Sequence, residues 1–583
     1  EFFETDSNYL YTICQWFPRM AMYNDVYGWQ NKQFLGRGEF TLDFGDYDVR
    51  ITVPADHIVA STGELQNMME VLTKQQIDRY KKSRSASSPM IIISQDEAII
   101  NEKSRSKKVK TWRYKAKNVR DFAFTSSRKF IWDAMGVKLG DRTVMAMSYY
   151  PKEANPLYER YSTRAVAHTL NVYSKYTFDY PYPVAISVEA ANGMEYPMIC
   201  FNYGRPQKDG TYSERIKYGM ISVIIHEVGH NYFPMIVNSD ERQWTWMDEG
   251  LNSYLQFLAE QEWDRDYPSR RGPAKNIVNY MKSDKKNLMP IMTNSESIYQ
   301  FGNNAYGKPA TALNILRETI VGRELFDFAF KEYSKTWMFK HPTPSDFFRI
   351  LENASAVDLD WFWRGWFYST DPVDISIDEV KWYTLDTKNP EVEFPLKKLD
   401  EENEPTQSWE EKNRIEIQET IVEIDEEAND FYNKYDPYEV TILDMEDFIK
   451  YRDSSVVEPQ EKRIYNSNLN YYEIKFSNVG GLVMPIILEL QYEDSTNYII
   501  RIPAEIWRKN RDQITKVFAT KKLVKSFNLD PQLETADINL INNNWPRKTI
   551  KSKFELYKNK KNNRRKNFKE NKMQRYNRLK KME

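Results

Sequence analysis

The run His226-Glu227-Val228-Gly229-His230, with Glu249 nineteen residues beyond the second histidine, constrains this chain more than any other feature. Residues four apart on an α-helix share a face, so His226 and His230 aim their imidazoles at one spot if the run is helical. Upstream, Ile216, Met220, Val223 and Ile224 recur at three- and four-residue spacing and predict that helix, with Pro234 expected to end it. Leu251, Tyr254, Leu255 and Leu258 repeat the spacing after Glu249 and place its carboxylate in the first turn of a second helix. Any fold the chain adopts must therefore bring two helices together where two imidazoles and a carboxylate meet. That donor set leaves a fourth position open, as a catalytic zinc ion requires, and Glu227 stands beside the ion as a proton acceptor.

Only five histidines occur in 583 residues, and at that frequency a chance HExxH arises in roughly one such chain in several hundred. The other three, His57, His168 and His341, are scattered and are read as structural. No xxGxxH continuation follows the pair, which argues against a three-histidine zinc site.

Together with Trp246-Met247-Asp248-Glu249-Gly250, this spacing resembles the gluzincin zinc metallopeptidases of the aminopeptidase N and leukotriene hydrolase family. Gly193-Met194-Glu195-Tyr196-Pro197 is similar to that family's G-x-M-E-N segment, and Tyr306-Gly307-Lys308-Pro309-Ala310 to its Y-x-K-x-A segment. The tryptophan-rich run from Asp358 to Phe367 resembles the end of the family's helical region. The resemblance implies His226, His230 and Glu249 as ligands of one Zn2+ and Glu227 as general base. It implies Tyr306 as the hydroxyl that steadies the transition state, and Glu195, with Gly193 and Met194, as the grip on a substrate's free amino group. Two positions depart from the pattern. Tyr196 stands where the family usually has asparagine, and Tyr232 where it has tryptophan. The first borders the amine-binding segment, so zinc-dependent peptide hydrolysis through a zinc-activated water is the firmer expectation and strict aminopeptidase behaviour the finer one. A zinc hydrolase of another amide or of an epoxide, and an interaction protein on the same fold without catalysis, are the alternatives.

At this length the chain holds about three to four domains. The expected architecture is multidomain α+β. Residues 1–147 read as a β-rich domain on the alternation of Phe40, Leu42, Val49, Ile51 and Val53 and on short strands from Met90 to Arg128, interrupted by a charged helical insertion from Leu65 to Lys82. Residues 148–375 read as a thermolysin-like catalytic domain with a helical bundle, on the resemblance. Residues 376–545 read as a β-sandwich-like region, with Asn478-Val479-Gly480-Gly481 as a hairpin signal. Inside it, the acidic stretch from Glu391 to Asn429 reads as a solvated connection with strand content around Ile415 to Ile424. Residues 546–583 are a Lys/Arg-rich tail with few apolar residues, expected to stay unfolded; contact with nucleic acid or an anionic membrane is its lesser reading.

A formal charge of -2 points to no polyanionic partner for the chain as a whole, and peptides are the expected partners. Two cysteines, Cys14 and Cys200, make no disulfide framework, although a single bridge stays open. No apolar run approaches the roughly 18 residues of a membrane span. The opening residues EFFETDSNYLY lack a leader pattern and suggest a processed or truncated start, so the compartment is open, with a periplasmic or secreted place favoured if a leader was removed.

Overall fold

The computed structural model describes residues 1–33, 35–467, 469–547 and 571–581. Helices and several sheets share the chain in a multidomain α+β arrangement, as expected from the sequence. The N-terminal part builds a four-stranded antiparallel sheet and a long ladder of Gly45–Pro54 against Val109–Val119. The charged insertion forms the helices Met68–Val71 and Lys74–Ser83, the second started by a capping box between Thr73 and Gln76. Gln95–Ser104 is also helical, where the sequence reading saw only strands. Ser94 and Glu97 form a second capping box there and satisfy the first orphan amides, a stronger local device than the Ile/Met run before it.

The sheet behind the site has the order Met194–Tyr196, Ile199–Asn202, Val184–Glu189, Arg142–Tyr150, Ile131–Leu139, Met90–Ile93. A boundary between residues 147 and 148 would cut the strand Arg142–Tyr150, and two strands that lie wholly before that point, Met90–Ile93 and Ile131–Leu139, join the same sheet. Alternation alone cannot say which sheet a strand joins. Val184–Glu189 pairs in parallel on both sides and is buried at every residue, the pattern of a strand covered on both faces. Met194–Tyr196 is the edge strand, and it carries Glu195.

The C-terminal part has two sheets, one of Ile375–Thr384, Asn470–Asn478 and Gln513–Thr520, the other built on Ile486–Tyr492. The Gly480-Gly481 pair is not a hairpin turn, because the strands on either side of it lie in different sheets. It carries the chain across. A Cβ on Gly480 would stand 2.2 Å from the Pro372 carbonyl oxygen, and Gly481 has φ +91°, so both positions need glycine. Between Ile375–Thr384 and Asn470–Asn478, residues 390–465 form short helices joined by loops rather than strands. Ile415 to Ile424 falls in and between Ser408–Glu416 and Ile421–Ile424, the latter begun by a Thr420/Glu423 capping box. The apolar alternation there is solvent-exposed, and no strand pairs with it among the described residues.

Part of the basic tail is also ordered, contrary to expectation. Lys572–Lys580 is a helix, capped by Asn571, whose Nδ2 also donates to Thr211 Oγ1 at 3.2 Å; Lys572 Nζ reaches Glu214 Oε2 at 3.0 Å. The rest of that tail, residues 548–570 and 582–583, lies outside the described residues. Cys14 and Cys200 are unbridged. Among the described residues no helix is long and apolar enough to cross a membrane.

Candidate metal centre and active site

The first ligand helix, Glu214–Gly229, starts at Ser213, whose hydroxyl accepts from the Ile216 amide. It ends at Gly229, before the expected stop at Pro234. Asn252 Nδ2 donates to the His226 carbonyl at 2.8 Å, adding a second donor to the one from the His230 amide at 3.1 Å, and Asn252 itself sits on the helix that carries Glu249, Glu249–Trp263. A Cβ on Gly229 would stand 2.2 Å from Asn252 Oδ1 and 2.4 Å from the Tyr173 hydroxyl, so the helices approach closely only because this residue is glycine. Gly250 does the same on the other side, where a Cβ would stand 2.6 Å from Pro309.

This packing brings the three donors together. His226 Nε2 lies 3.0 Å from Glu249 Oε2 and 3.0 Å from His230 Nε2, and His230 Nε2 lies 3.4 Å from Glu249 Oε2. Donors at about 2.0–2.1 Å around a tetrahedral zinc ion stand roughly 3.3 Å from one another, so the set fits that ion. The far ring nitrogens are engaged. His226 Nδ1 meets Gln256 Oε1 at 2.9 Å; His230 Nδ1 lies 3.0 Å from the Phe233 carbonyl and 2.9 Å from Asp248 Oδ1. Such outer partners fix each ring's orientation and leave Nε2 to face the centre. Burial, then the charge of His230, pushes the His226 pKa down to about 4, which keeps it neutral as a ligand must be. Burial lowers that of His230 too, but Glu195, Asp248 and Glu249 more than reverse this and leave it well above the ordinary value. Against burial, which raises it, His230 and His226 hold the Glu249 carboxyl below its usual range.

Glu227 lies beside this centre and, with Glu195 and His230, offers a second set of three close donor atoms. A Cβ on Gly193 would stand 2.6 Å from Glu227 Oε1, so the edge strand's entry presses directly on that carboxylate. Burial and the Glu195 charge raise the Glu227 pKa well above the ordinary carboxylate value. Glu195 is 4% exposed, its Oε1 has no hydrogen-bond partner among the described residues, and burial raises its pKa in turn. Tyr306 sits in a widened, π-helical turn, Gly302–Gly307, a form that recurs at functional sites. Its hydroxyl donates to Glu249 Oε1 at 2.5 Å and its ring stacks on His226 at 5.7 Å. Met194 pairs with Phe201 across the edge strand.

The two departures face away from this centre. Tyr196 is buried and its hydroxyl accepts from Gln15 Nε2 at 3.2 Å; the Tyr232 hydroxyl meets Ser174 at 2.9 Å inside the core. His57, His168 and His341 bond to Ser126 Oγ, the Ala259 carbonyl and the Asn238 carbonyl respectively.

The sequence reading missed several contributors. Gln256 follows Glu249 by two helical turns and was findable from that spacing. Glu39 was not. It comes from the N-terminal part, held by a clamp: the Phe40 amide donates to Glu241 Oε2, Thr41 Oγ1 to Asp240 Oδ1, and Asn238 Nδ2 to the Leu42 carbonyl. Buried Arg120 pairs with Glu241 and anchors the loop. Gly38, at φ +69° with a built Cβ 2.8 Å from the Glu241 carbonyl, permits the approach. Burial and then the charges of Glu195, Glu241, Asp248 and Glu249 raise the Glu39 pKa well above normal. The site thus crowds buried carboxyl groups whose ionisation is disfavoured, and a cation among them would relieve that crowding.

The peptidase family M1 domain is matched over residues 161–366. Glutamyl aminopeptidase of Sus scrofa is 28% identical over 144 residues, 24% of this chain and 15% of that protein. Probable aminopeptidase 1 of Sulfurisphaera tokodaii is 26% identical over 235 residues, 37% of this chain and 29% of that protein. The chain therefore spans less than a third of the length of these curated relatives. Among solved structures, Legionella pneumophila aminopeptidase A in complex with aspartic acid aligns with TM-score 0.49 and 11% identity over 85% of this chain and 44% of that one. An M1 zinc metallopeptidase from Deinococcus radiodurans aligns with TM-score 0.40 and 17% identity over 57% and 65%.

Proposed function

Since the chain carries a peptidase family M1 domain across residues 161–366, we propose that it is a zinc-dependent aminopeptidase that removes N-terminal residues from peptides. The observation that supports this most is the meeting of His226, His230 and Glu249 donor atoms at 3.0–3.4 Å, with the Glu227 carboxylate beside them. Zn2+ held by these three residues would polarise the scissile carbonyl and make water nucleophilic near neutral pH. Glu227 accepts the proton of the attacking water and passes it to the departing amine. Tyr306, which lines the same cavity as Glu227, donates its hydroxyl to the developing oxyanion.

Glu195 pairs with the substrate's ammonium group, and Glu39 adds negative charge to that end of the site. An ammonium group there gives the otherwise unpartnered Glu195 Oε1 a partner and relieves the repulsion among the carboxylates. Cleavage of aminoacyl-naphthylamides is expected with a free amino group and not when that group is acetylated. Glu195→Gln is expected to lose roughly 2–5 kcal/mol of transition-state binding on the free substrate and little on the acetylated one. Equal turnover of both substrates by the parent enzyme would leave a peptide or amide hydrolase without amine recognition.

Tyr306→Phe keeps the ring stacked on His226 and removes only the hydroxyl. It is expected to lower kcat by about a hundred- to a thousand-fold with KM and zinc content little changed. An unchanged kcat would remove Tyr306 from the mechanism.

A further inference from the structure

A cavity of about 650 Å³ opens beside the centre, with His226, Glu227 and Tyr306 in its lining. None of the residues of the strand Met194–Tyr196, and not Glu39, lines it, so it does not hold the ammonium end of a substrate. It takes what lies on the other side of the scissile bond. The chemistry of the rest of its lining is unlike that of the acidic pocket, because Arg215, Arg270 and Arg271 all contribute to it. Arg271 lies with its guanidinium carbon 4.0 Å from the centre of the Tyr306 ring and donates to Ser253 Oγ at 3.3 Å. Among the described residues no carboxylate forms an ion pair with any of these three arginines.

Besides Glu227, which stands at the metal centre, two acids line the cavity, and both are already engaged. Glu260 accepts from Ser222, Gln256 and Ser269, at 2.8, 2.9 and 2.5 Å, and Glu214 is met by Lys572 at 3.0 Å. Three guanidinium groups without carboxylate partners, one of them stacked on the ring of the proposed oxyanion donor, make a receptor for a planar anion. We infer that this cavity selects substrates whose leaving residue carries a carboxylate, with Arg270 and Arg271 as specificity residues. The inference rests on the aminopeptidase reading above. The carboxylate has two sources, the free C-terminus of a dipeptide or an acidic side chain on the leaving residue.

Four substrates separate these sources. Alanyl-alanine against alanyl-alaninamide tests the terminal carboxylate; alanyl-aspartic α-amide against alanyl-asparaginamide tests the side chain. The parent enzyme is expected to prefer the carboxylate member of at least one pair by about tenfold or more in kcat/KM, mainly through KM, since a hydrogen bond to a charged group is worth that much. Arg270→Gln and Arg271→Gln, made separately, are expected to bring that ratio toward one; Arg270 is exposed, so its variant folds even if Arg271→Gln does not. Binding to Glu227→Gln enzyme, measured by titration calorimetry with the same pairs, should show the same preference without turnover. Ratios near one in the parent, or a preference that survives both arginine variants, would overturn the inference while leaving the aminopeptidase reading intact. No cleavage of any of the four would overturn both.

Discussion

Replacing Glu227 with Gln is expected to lower kcat by about a hundred- to ten-thousand-fold while the protein keeps its zinc and its thermal stability. The side chain has the same shape, and Glu227 is not among the three converging ligands, so the metal centre should assemble as before. The amide cannot accept the water's proton or return one to the departing amine. The neighbourhood also favours the exchange. Glu227 is 6% exposed and sits close to Glu195 with a raised pKa, so removing its charge removes repulsion rather than a partner. The variant should be at least as stable as the parent, and that distinguishes loss of the base from loss of the fold. Zinc analysis, a melting curve and an aminoacyl-naphthylamide assay on one preparation decide it. Parent-level turnover in that variant would mean that another group takes the proton.

What could be foreseen of this site follows from the range over which its interactions act. His226, His230 and Glu249 were legible because the helical period links residues four apart, and because apolar spacing on both segments marked two helices. Glu195 and Tyr306 came through resemblance of short segments, and their placement near the centre depends on an edge strand and a π-helical turn that no periodicity announces. Glu39 was invisible. Its position comes from the Arg120–Glu241 pair and the hydrogen bonds around Asp240, contacts between residues more than a hundred positions apart.

The same distinction explains the fold. Val184–Glu189 could be read as a strand because burial on both faces leaves an apolar run. Ile415 to Ile424 misled because alternation without a partner strand is not a sheet, and a Thr420/Glu423 cap was enough to favour a helical turn. The Gly480-Gly481 pair has the chemistry of a turn in both readings. Only the long-range pairing of Asn470–Asn478 and Ile486–Tyr492 with different sheets decides that it crosses between them.

Removing the metal is expected to abolish turnover and to lower stability together. In the folded chain the carboxylates of Glu39, Glu195, Glu227, Asp248 and Glu249 crowd around two imidazoles, and each of the first four has a raised pKa in which burial is the leading cause. A divalent cation relieves that crowding only in the native state, because the unfolded chain does not hold the three donors converged on one point. Binding at a hundred to a thousand times Kd contributes about 2.7–4.1 kcal/mol. A chelator should therefore lower the thermal midpoint and eliminate aminoacyl-naphthylamide hydrolysis, and added zinc should restore both. Glu249→Ala removes one donor and the acceptor of the Tyr306 hydroxyl. It should hold no stoichiometric zinc, show no hydrolysis and gain nothing from zinc addition, even when circular dichroism shows it folded. If the folded parent protein bound no zinc and its midpoint did not respond to the ion, the three donors would be a buried hydrogen-bonded cluster, and the peptidase mechanism would have no centre to act from.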